Sequence, residues 1–256
     1  IVYFVTFIAN ILMYIHLFFS SFSLLVYQTN GCTGDYEMSI SVGINGFGRI
    51  GRSTFSHIAE SARNDIHVTK INATGPIETN AHLLKYDSVH GRFPGEITVE
   101  NDHLDIGNGP VKVFSSYDPN DLDWSGCDVV LECTGKFNDG IKSKVHIQQG
   151  AKSVLISAPA DNVDKTIVYG VNHRSLTNKD KIVSNGSCTT NCLAPLAKVL
   201  NDNIGIERGI MTTIHSYTGD QPTLDRRHAD LYRARSAASS MIPTSTGAAR
   251  ALGKVL

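Results

Sequence analysis

Apolar and polar positions after residue 38 alternate between two rhythms. Residues 39–44 are short and alternating, which predicts a strand. Residues 50–62 place Ile50, Phe55, Ile58 and Ala59 on one face, which predicts a helix. Residues 66–71 supply a second strand. Between the first strand and the helix lies Asn45-Gly46-Phe47-Gly48-Arg49-Ile50-Gly51, a G-x-G-x-x-G. In a strand–loop–helix–strand setting such glycines permit a tight turn. They also let backbone N–H groups approach a pyrophosphate at the helix N-terminus. A glycine-rich turn without a ligand is the bland alternative, and the flanking elements weigh against it. The carboxylate expected at the end of the second strand, for a ribose 2′-hydroxyl, is missing. The run there is Ile71-Asn72-Ala73-Thr74, which leaves NAD against NADP open.

The α/β rhythm continues. Residues 91–113 carry turn signals typical of hairpins. Residues 127–131 and 153–156 read as buried strands, ending in Glu132-Cys133-Thr134-Gly135 and Ser157-Ala158-Pro159-Ala160. Ligands lie across such C-terminal strand ends in open α/β sheets. A helix is predicted over 139–149, a strand over 181–185, a helix over 193–200 and a strand over 209–214. Pro195 suits only the first turn of a helix, so that helix is expected to begin near Asn191 or to be disturbed. No internal repeat or low-complexity linker is visible.

Composition adds a leader. Residues 1–27 hold 21 apolar residues, and no Lys or Arg precedes Arg49. A membrane helix fits the length but lacks basic flanks. A secretory signal lacks its positive start. The preferred reading is that residues 1–37 are not part of the working protein. The whole chain has 256 residues, 23 basic against 24 acidic, and 5 Cys. Near-neutral charge gives no reason to expect nucleic acid as a partner, and the cysteines are too few for a disulfide-dense mini-protein.

Candidate chemistry centres on Cys188. The motif Gly186-Ser187-Cys188-Thr189-Thr190-Asn191-Cys192 joins a strand to a helix. A thiol at a helix N-terminus gains from the free N–H groups and the dipole. The polar run around it offers capping oxygens and anion donors. Cys127, Cys133 and Cys192 read as small buried residues. A zinc site is not expected, because no second cysteine pair follows at ligand spacing. His215, just after the strand predicted over 209–214, is a base that can face Cys188. The other histidines read as loop or surface residues.

These segments together resemble the phosphorylating glyceraldehyde-3-phosphate dehydrogenases. The resemblance rests on residues 42–52, 184–197, His215-Ser216-Tyr217-Thr218, Pro243-Thr244-Ser245-Thr246-Gly247-Ala248-Ala249 and residues 86–91. It runs from Met38 to Leu256. It implies a Rossmann-type doubly wound parallel sheet over 38–187, followed by an α+β catalytic domain over 188–256 that stops early. It implies Cys188 as nucleophile and His215 as acid/base. Asn45, Gly46, Phe47, Gly48, Arg49, Ile50, Gly51, Asn72, Thr134 and Ser157 would line NAD or NADP. Ser187, Thr189, Thr246 and Gly247 would form one phosphate site. Thr218, Asp220 and Arg233 would contribute to the other. A cytoplasmic homotetramer acting on a small-molecule substrate and inorganic phosphate is implied, and a membrane partner is not expected.

Three positions depart from the family pattern. Gly186 replaces a commoner Ala, with little effect expected. Ala73 stands where NAD-using members carry the ribose-binding Asp. Arg226-Arg227 stands where they tend to have Leu-Pro. Losing a carboxylate and gaining two guanidinium groups favour a 2′-phosphate, so NADP use is expected; a solvated loop pair is the plainer reading of the two arginines. A sheet cut short exposes edges and core, so this polypeptide alone is expected to fold poorly and be inactive. An erythrose-4-phosphate dehydrogenase, or a non-catalytic nucleotide-binding fragment, are the rival readings.

Overall fold

A computed structural model describes residues 39–61 and 64–256. The apolar leader, Met38 and the predicted helix end at Ala62 lie outside the described residues.

β1 (Ile40–Asn45) leads through the glycine loop into α1 (Arg49–Glu60), which returns the chain to β2 (Ile66–Asn72). α2 (Ile77–Lys85) follows, then a small β3–β4 pair (Tyr86–Asp87 with Gly91–Arg92). The predicted hairpins form as β5 (Thr98–Glu100), β6 (His103–Asp105) and β7 (Val111–Phe114). β8 (Val129–Glu132), α3 (Gly140–Gln148), β9 (Ser153–Ile156), β10 (Lys165–Thr166) and β11 (Ile182–Ser184) complete the sheet. Its order is β10-β11-β9-β8-β1-β2-β7-β6-β5. All pairings from β10 across to β7 are parallel, and only the β5–β6–β7 edge is antiparallel. The chain leaves β1 toward β2 and β7, then returns to β8 on the other side of β1. The order reverses between β1 and β8, and ligands of doubly wound sheets bind at such a reversal.

The central strands are apolar on both faces because helices or loops cover both. Val42, Ile44, Ile66, Ile71, Val129 and Leu131 are fully buried in the main core. Trp124, Cys127, Val130 and Ala151 form a second cluster. In α1 the inward residues are Gly51, Thr54, Phe55 and Ile58, an i, i+3, i+4, i+7 set. Ile50, expected on that face, is exposed because the inward stripe is one residue out of phase with it.

Two further expectations give way. α4 (Cys188–Asn203) starts earlier than predicted and runs through Pro195 without ending. Ser187 caps it, accepting a hydrogen bond from Thr190 N, so the cap chooses the start and the proline sits inside. Residues 209–214 form no strand: none of their backbone groups joins a ladder, and Ile210 is fully exposed. β-propensity makes a strand only beside a partner strand. The short α5 (Ala248–Ala251) and the turn after it pack on α4 through Ala194, Leu252 and Val255. Among the described residues no helix is long and apolar enough to cross a membrane.

Glycine packing makes a test. A Cβ on Gly51 would lie 2.3 Å from Gly46 O, whereas one on Gly48 would meet nothing within 4 Å. Gly51→Ala is therefore expected to destabilise the full chain by about 1–3 kcal/mol. Gly48→Ala should change it by less than about 1 kcal/mol. Thermal or urea unfolding of the two variants checks this.

Candidate active site

Parallel strands bring their C-terminal ends to one edge, where Asn45, Asn72, Glu132, Ser157 and Asn185 sit at or just after the ends of β1, β2, β8, β9 and β11. The glycine loop leaves this edge. Gly46 has φ +95°, and a Cβ there would lie 2.7 Å from Thr134 N. Its own N–H donates to Asn72 O at 3.0 Å. Phe47 turns its ring into the core against Phe55, with centroids 5.9 Å apart, so it offers the loop only backbone. Gly48 caps α1 with no side-chain bond, leaving the first-turn N–H groups without intrahelical acceptors. Arg49 bonds Asp87. Burial alone would raise the Asp87 carboxyl, but Arg49 and the His90 and Val89 amides outweigh it and hold it at about 2. Ser157 Oγ donates to Glu132 O at 3.0 Å. Ala73 is buried in the core at the end of β2.

At the other end of the same edge, Gly186 has φ +67° and turns the chain from β11 into α4. Asn191 reaches back over this turn, its Nδ2 donating to Asn185 O at 2.7 Å and Ser187 O at 2.9 Å. The Ser187 hydroxyl is engaged with Thr190. Cys188 is thereby fixed as the first residue of α4. Its Sγ lies 3.1 Å from His215 Nε2, and His215 Nδ1 lies 2.6 Å from Ser216 O. The side-chain amide of Asn185 is buried with no hydrogen-bond partner among the described residues.

The predicted substrate residues form a second group. Arg233 Nη1 donates to Asp220 Oδ2 at 2.8 Å, and Nη2 to Ser245 O at 3.2 Å. Arg233 thus ties the loop holding Thr218 and Asp220 to the segment holding Thr246 and Gly247. The bond from Arg233 holds the Asp220 carboxyl below the usual range, with help from His228. Thr246 Oγ1 accepts from Ala248 N at 3.2 Å. Thr189 follows Cys188 in the first turn of α4. Arg226 and Arg227 are exposed. Among the described residues no cluster of His, Cys, Asp or Glu could hold a metal.

His146, expected on a loop or the surface, is instead fully buried on α3, between Trp124 and Glu132. Its surroundings come from residues distant in the chain. An apolar heptad-like context in α3 would have hinted at burial, but that helix is weakly amphipathic in sequence.

Residues 40–140 match the family described as Glyceraldehyde 3-phosphate dehydrogenase, NAD binding domain. Residues 187–256 match its C-terminal domain. The chain belongs to the glyceraldehyde-3-phosphate dehydrogenase family. Among its relatives, glyceraldehyde-3-phosphate dehydrogenase of Cereibacter sphaeroides is 63% identical over 219 residues, and that of Xanthobacter flavus 63% identical over 221. The chromosomal glyceraldehyde-3-phosphate dehydrogenase of Cupriavidus necator is 52% identical over 223 residues. In each case 86% of this chain and 66% of the relative are covered. The chain thus spans about two thirds of the length of the relatives it matches.

The glycine loop fits the dinucleotide of this family. Gly46 makes the tight turn, the open space over Gly48 leaves room for a pyrophosphate, and Gly51 lets α1 approach β1. The residues placed to hold it are those of the loop and the uncapped N–H groups of α1.

The cysteines divide by environment. Burial pushes the Cys127 thiol up, and the Cys133 thiol to about 12. Burial, then the neighbouring Cys188, raises Cys192. A raised thiol stays protonated at neutral pH and reacts slowly with alkylating agents. Iodoacetamide at pH 7 is therefore expected to label Cys188 well before Cys127, Cys133 or Cys192. Peptide mapping by mass spectrometry checks the order, and His215→Asn should slow the Cys188 reaction.

Proposed function

We propose that the whole protein oxidises and phosphorylates D-glyceraldehyde 3-phosphate to 1,3-bisphosphoglycerate, reversibly, in glycolysis and gluconeogenesis. The observation that carries this reading is the 3.1 Å contact between Cys188 Sγ and His215 Nε2 at the start of α4, in a chain of this family. Residues 38–187 serve as the dinucleotide-binding domain and residues 188–256 belong to the catalytic domain.

The geometry supports a division of labour. With its Nδ1 proton held by Ser216 O, His215 presents the Nε2 lone pair to the Cys188 thiol. Nε2 takes the thiol proton, and the thiolate forms a bond to the aldehyde carbon. The carbonyl oxygen gains the displaced electron pair and then the proton from Nε2. The Cys188 backbone N–H, which has no intrahelical acceptor, is placed to steady that oxygen. When bound, the dinucleotide supplies a hydride acceptor at its nicotinamide. His215 removes the hydroxyl proton as the Cys188 adduct becomes a thioester. Inorganic phosphate then attacks the acyl carbon, the C–S bond breaks, and sulfur leaves as thiolate beside the imidazolium.

Ser187, Thr189, Thr246 and Gly247 serve one phosphate. Thr218 and Arg233 serve the other, with Asp220 holding the guanidinium in place. We assign NADP as an accepted cofactor alongside NAD. The absence of a carboxylate at Asn72 and Ala73 supports this, as do the exposed guanidinium groups of Arg226 and Arg227. The apolar side chains left exposed on Ile206, Ile210, Ile214, Leu224, Leu231 and Met241 support burial against further protein surface, which we assign to a homotetramer. Free thiols among the described residues suit a reducing, cytoplasmic setting.

Assays of the full-length protein test the reading. Cys188→Ser should lower kcat by at least about 1,000-fold, and turnover should require inorganic phosphate. Unchanged turnover, or a rate independent of phosphate, contradicts it. For the cofactor, kcat/KM with NADP should come within about tenfold of that with NAD, equivalent to about 1.4 kcal/mol. A much stronger NAD preference contradicts that assignment.

A further inference from the structure

Behind the glycine loop lies a buried hydrogen-bonded chain that the proposed chemistry does not use. At its centre is Glu132, the last residue of β8, with its side chain wholly buried. Oε2 accepts from Asn45 Nδ2 at 2.6 Å and from His146 Nε2 at 3.0 Å. Oε1 accepts from Thr134 N at 2.8 Å and from the Thr134 hydroxyl. On the far side, Trp124 Nε1 donates to His146 Nδ1 at 3.1 Å. The indole can only donate, so Nδ1 is the acceptor and Nε2 carries the proton given to Glu132. On the near side, Asn45 Oδ1 accepts from Asn72 Nδ2 at 2.8 Å. Asn72 is pinned in turn by Ser116, whose N–H donates to Asn72 Oδ1 at 3.0 Å and whose carbonyl accepts from Nδ2 at 2.9 Å.

The placement of the chain matters more than its number of bonds. Asn45 and Thr134 are the two segments that close on Gly46, where a Cβ would meet Thr134 N at 2.7 Å. One carboxylate therefore clamps both sides of the turn that opens the cradle. A buried carboxylate with four donors is stable in that place. Replacing either oxygen with an amide nitrogen sets a donor against donors there. His146 and Trp124 lie in the second core cluster or against it, which makes the outer end of the chain rigid.

We propose that Glu132 is the positioning residue of the dinucleotide cradle, setting the Asn45–Gly46 turn and the Thr134 loop at the spacing the cofactor needs. The inference rests on the reading that the chain binds NAD through residues 45–51, and goes beyond it by naming what holds that loop. It predicts a loss in cofactor affinity that the Cys188 end of the sheet does not share.

Calorimetric titration of the full-length protein with NAD is the test, with iodoacetamide labelling of Cys188 in the absence of NAD as the second readout. Parent protein that fails to bind NAD overturns the functional reading itself. Given binding, Glu132→Gln should raise Kd for NAD at least about tenfold, because its NH2 group must face either the Asn45 and His146 donors or the Thr134 donors. The labelling rate of Cys188 should stay within about twofold of the parent, because α4 and His215 do not touch the chain. His146→Leu, which leaves Glu132 in place but removes one donor, should raise Kd about threefold. It decides the matter if Glu132→Gln does not fold. A folded Glu132→Gln protein that binds NAD like the parent, or an unaffected His146→Leu, overturns the proposal.

Discussion

Parallel hydrogen bonding between β1 and its neighbours β2 and β8 forces three strand ends onto one edge of the sheet. A single strand order, reversing beside β1, then sets the Gly46 loop and the Thr134 loop side by side at the reversal. β9 and β11 extend the same edge, so the turn that carries Cys188 emerges on the side where the cofactor loop lies. Without that common direction, a thiol more than a hundred residues from the glycine loop would have no reason to share its edge.

Two kinds of polar device sharpen this coarse placement. At the cofactor end, a buried carboxylate gathers donors from the end of β1, the loop after β8 and a helix. At the thiol end, Asn191 bonds two carbonyls of the turn and Ser187 caps the helix, so Cys188 occupies the first position of α4. Both devices satisfy buried polar groups that would otherwise cost stability. Both also hold a helix start whose first N–H groups have no intrahelical acceptor. Arg233 is held in the same manner, by Asp220 on one side and the Ser245 carbonyl on the other.

Much of this was legible in the residues, and the misses share a cause. The β1–loop–α1–β2 unit stands out because alternation, glycine spacing and helical period are all local signals. So are the strand ends at Glu132 and Ser157, and the pairing of Cys188 with His215 follows from a motif and its order. Residues 209–214 misled because their β-branched pattern says nothing about whether a partner strand lies beside them. The start of α4 is set by the Ser187 cap, with two bonds to Thr190, and not by Pro195. His146 escaped notice because its two partners are 22 and 14 residues away, and burial there depends on the sheet closing around it.

The central claim is that the Cys188 sulfur carries the acyl group. Mixing the full-length protein with glyceraldehyde 3-phosphate and NAD without inorganic phosphate, quenching in acid, and mapping peptides by mass spectrometry reads this directly. The account predicts a 3-phosphoglyceroyl adduct on the peptide containing Cys188, which disappears when phosphate is added before the quench. An adduct on another residue, or none while NADH is produced stoichiometrically, would contradict it.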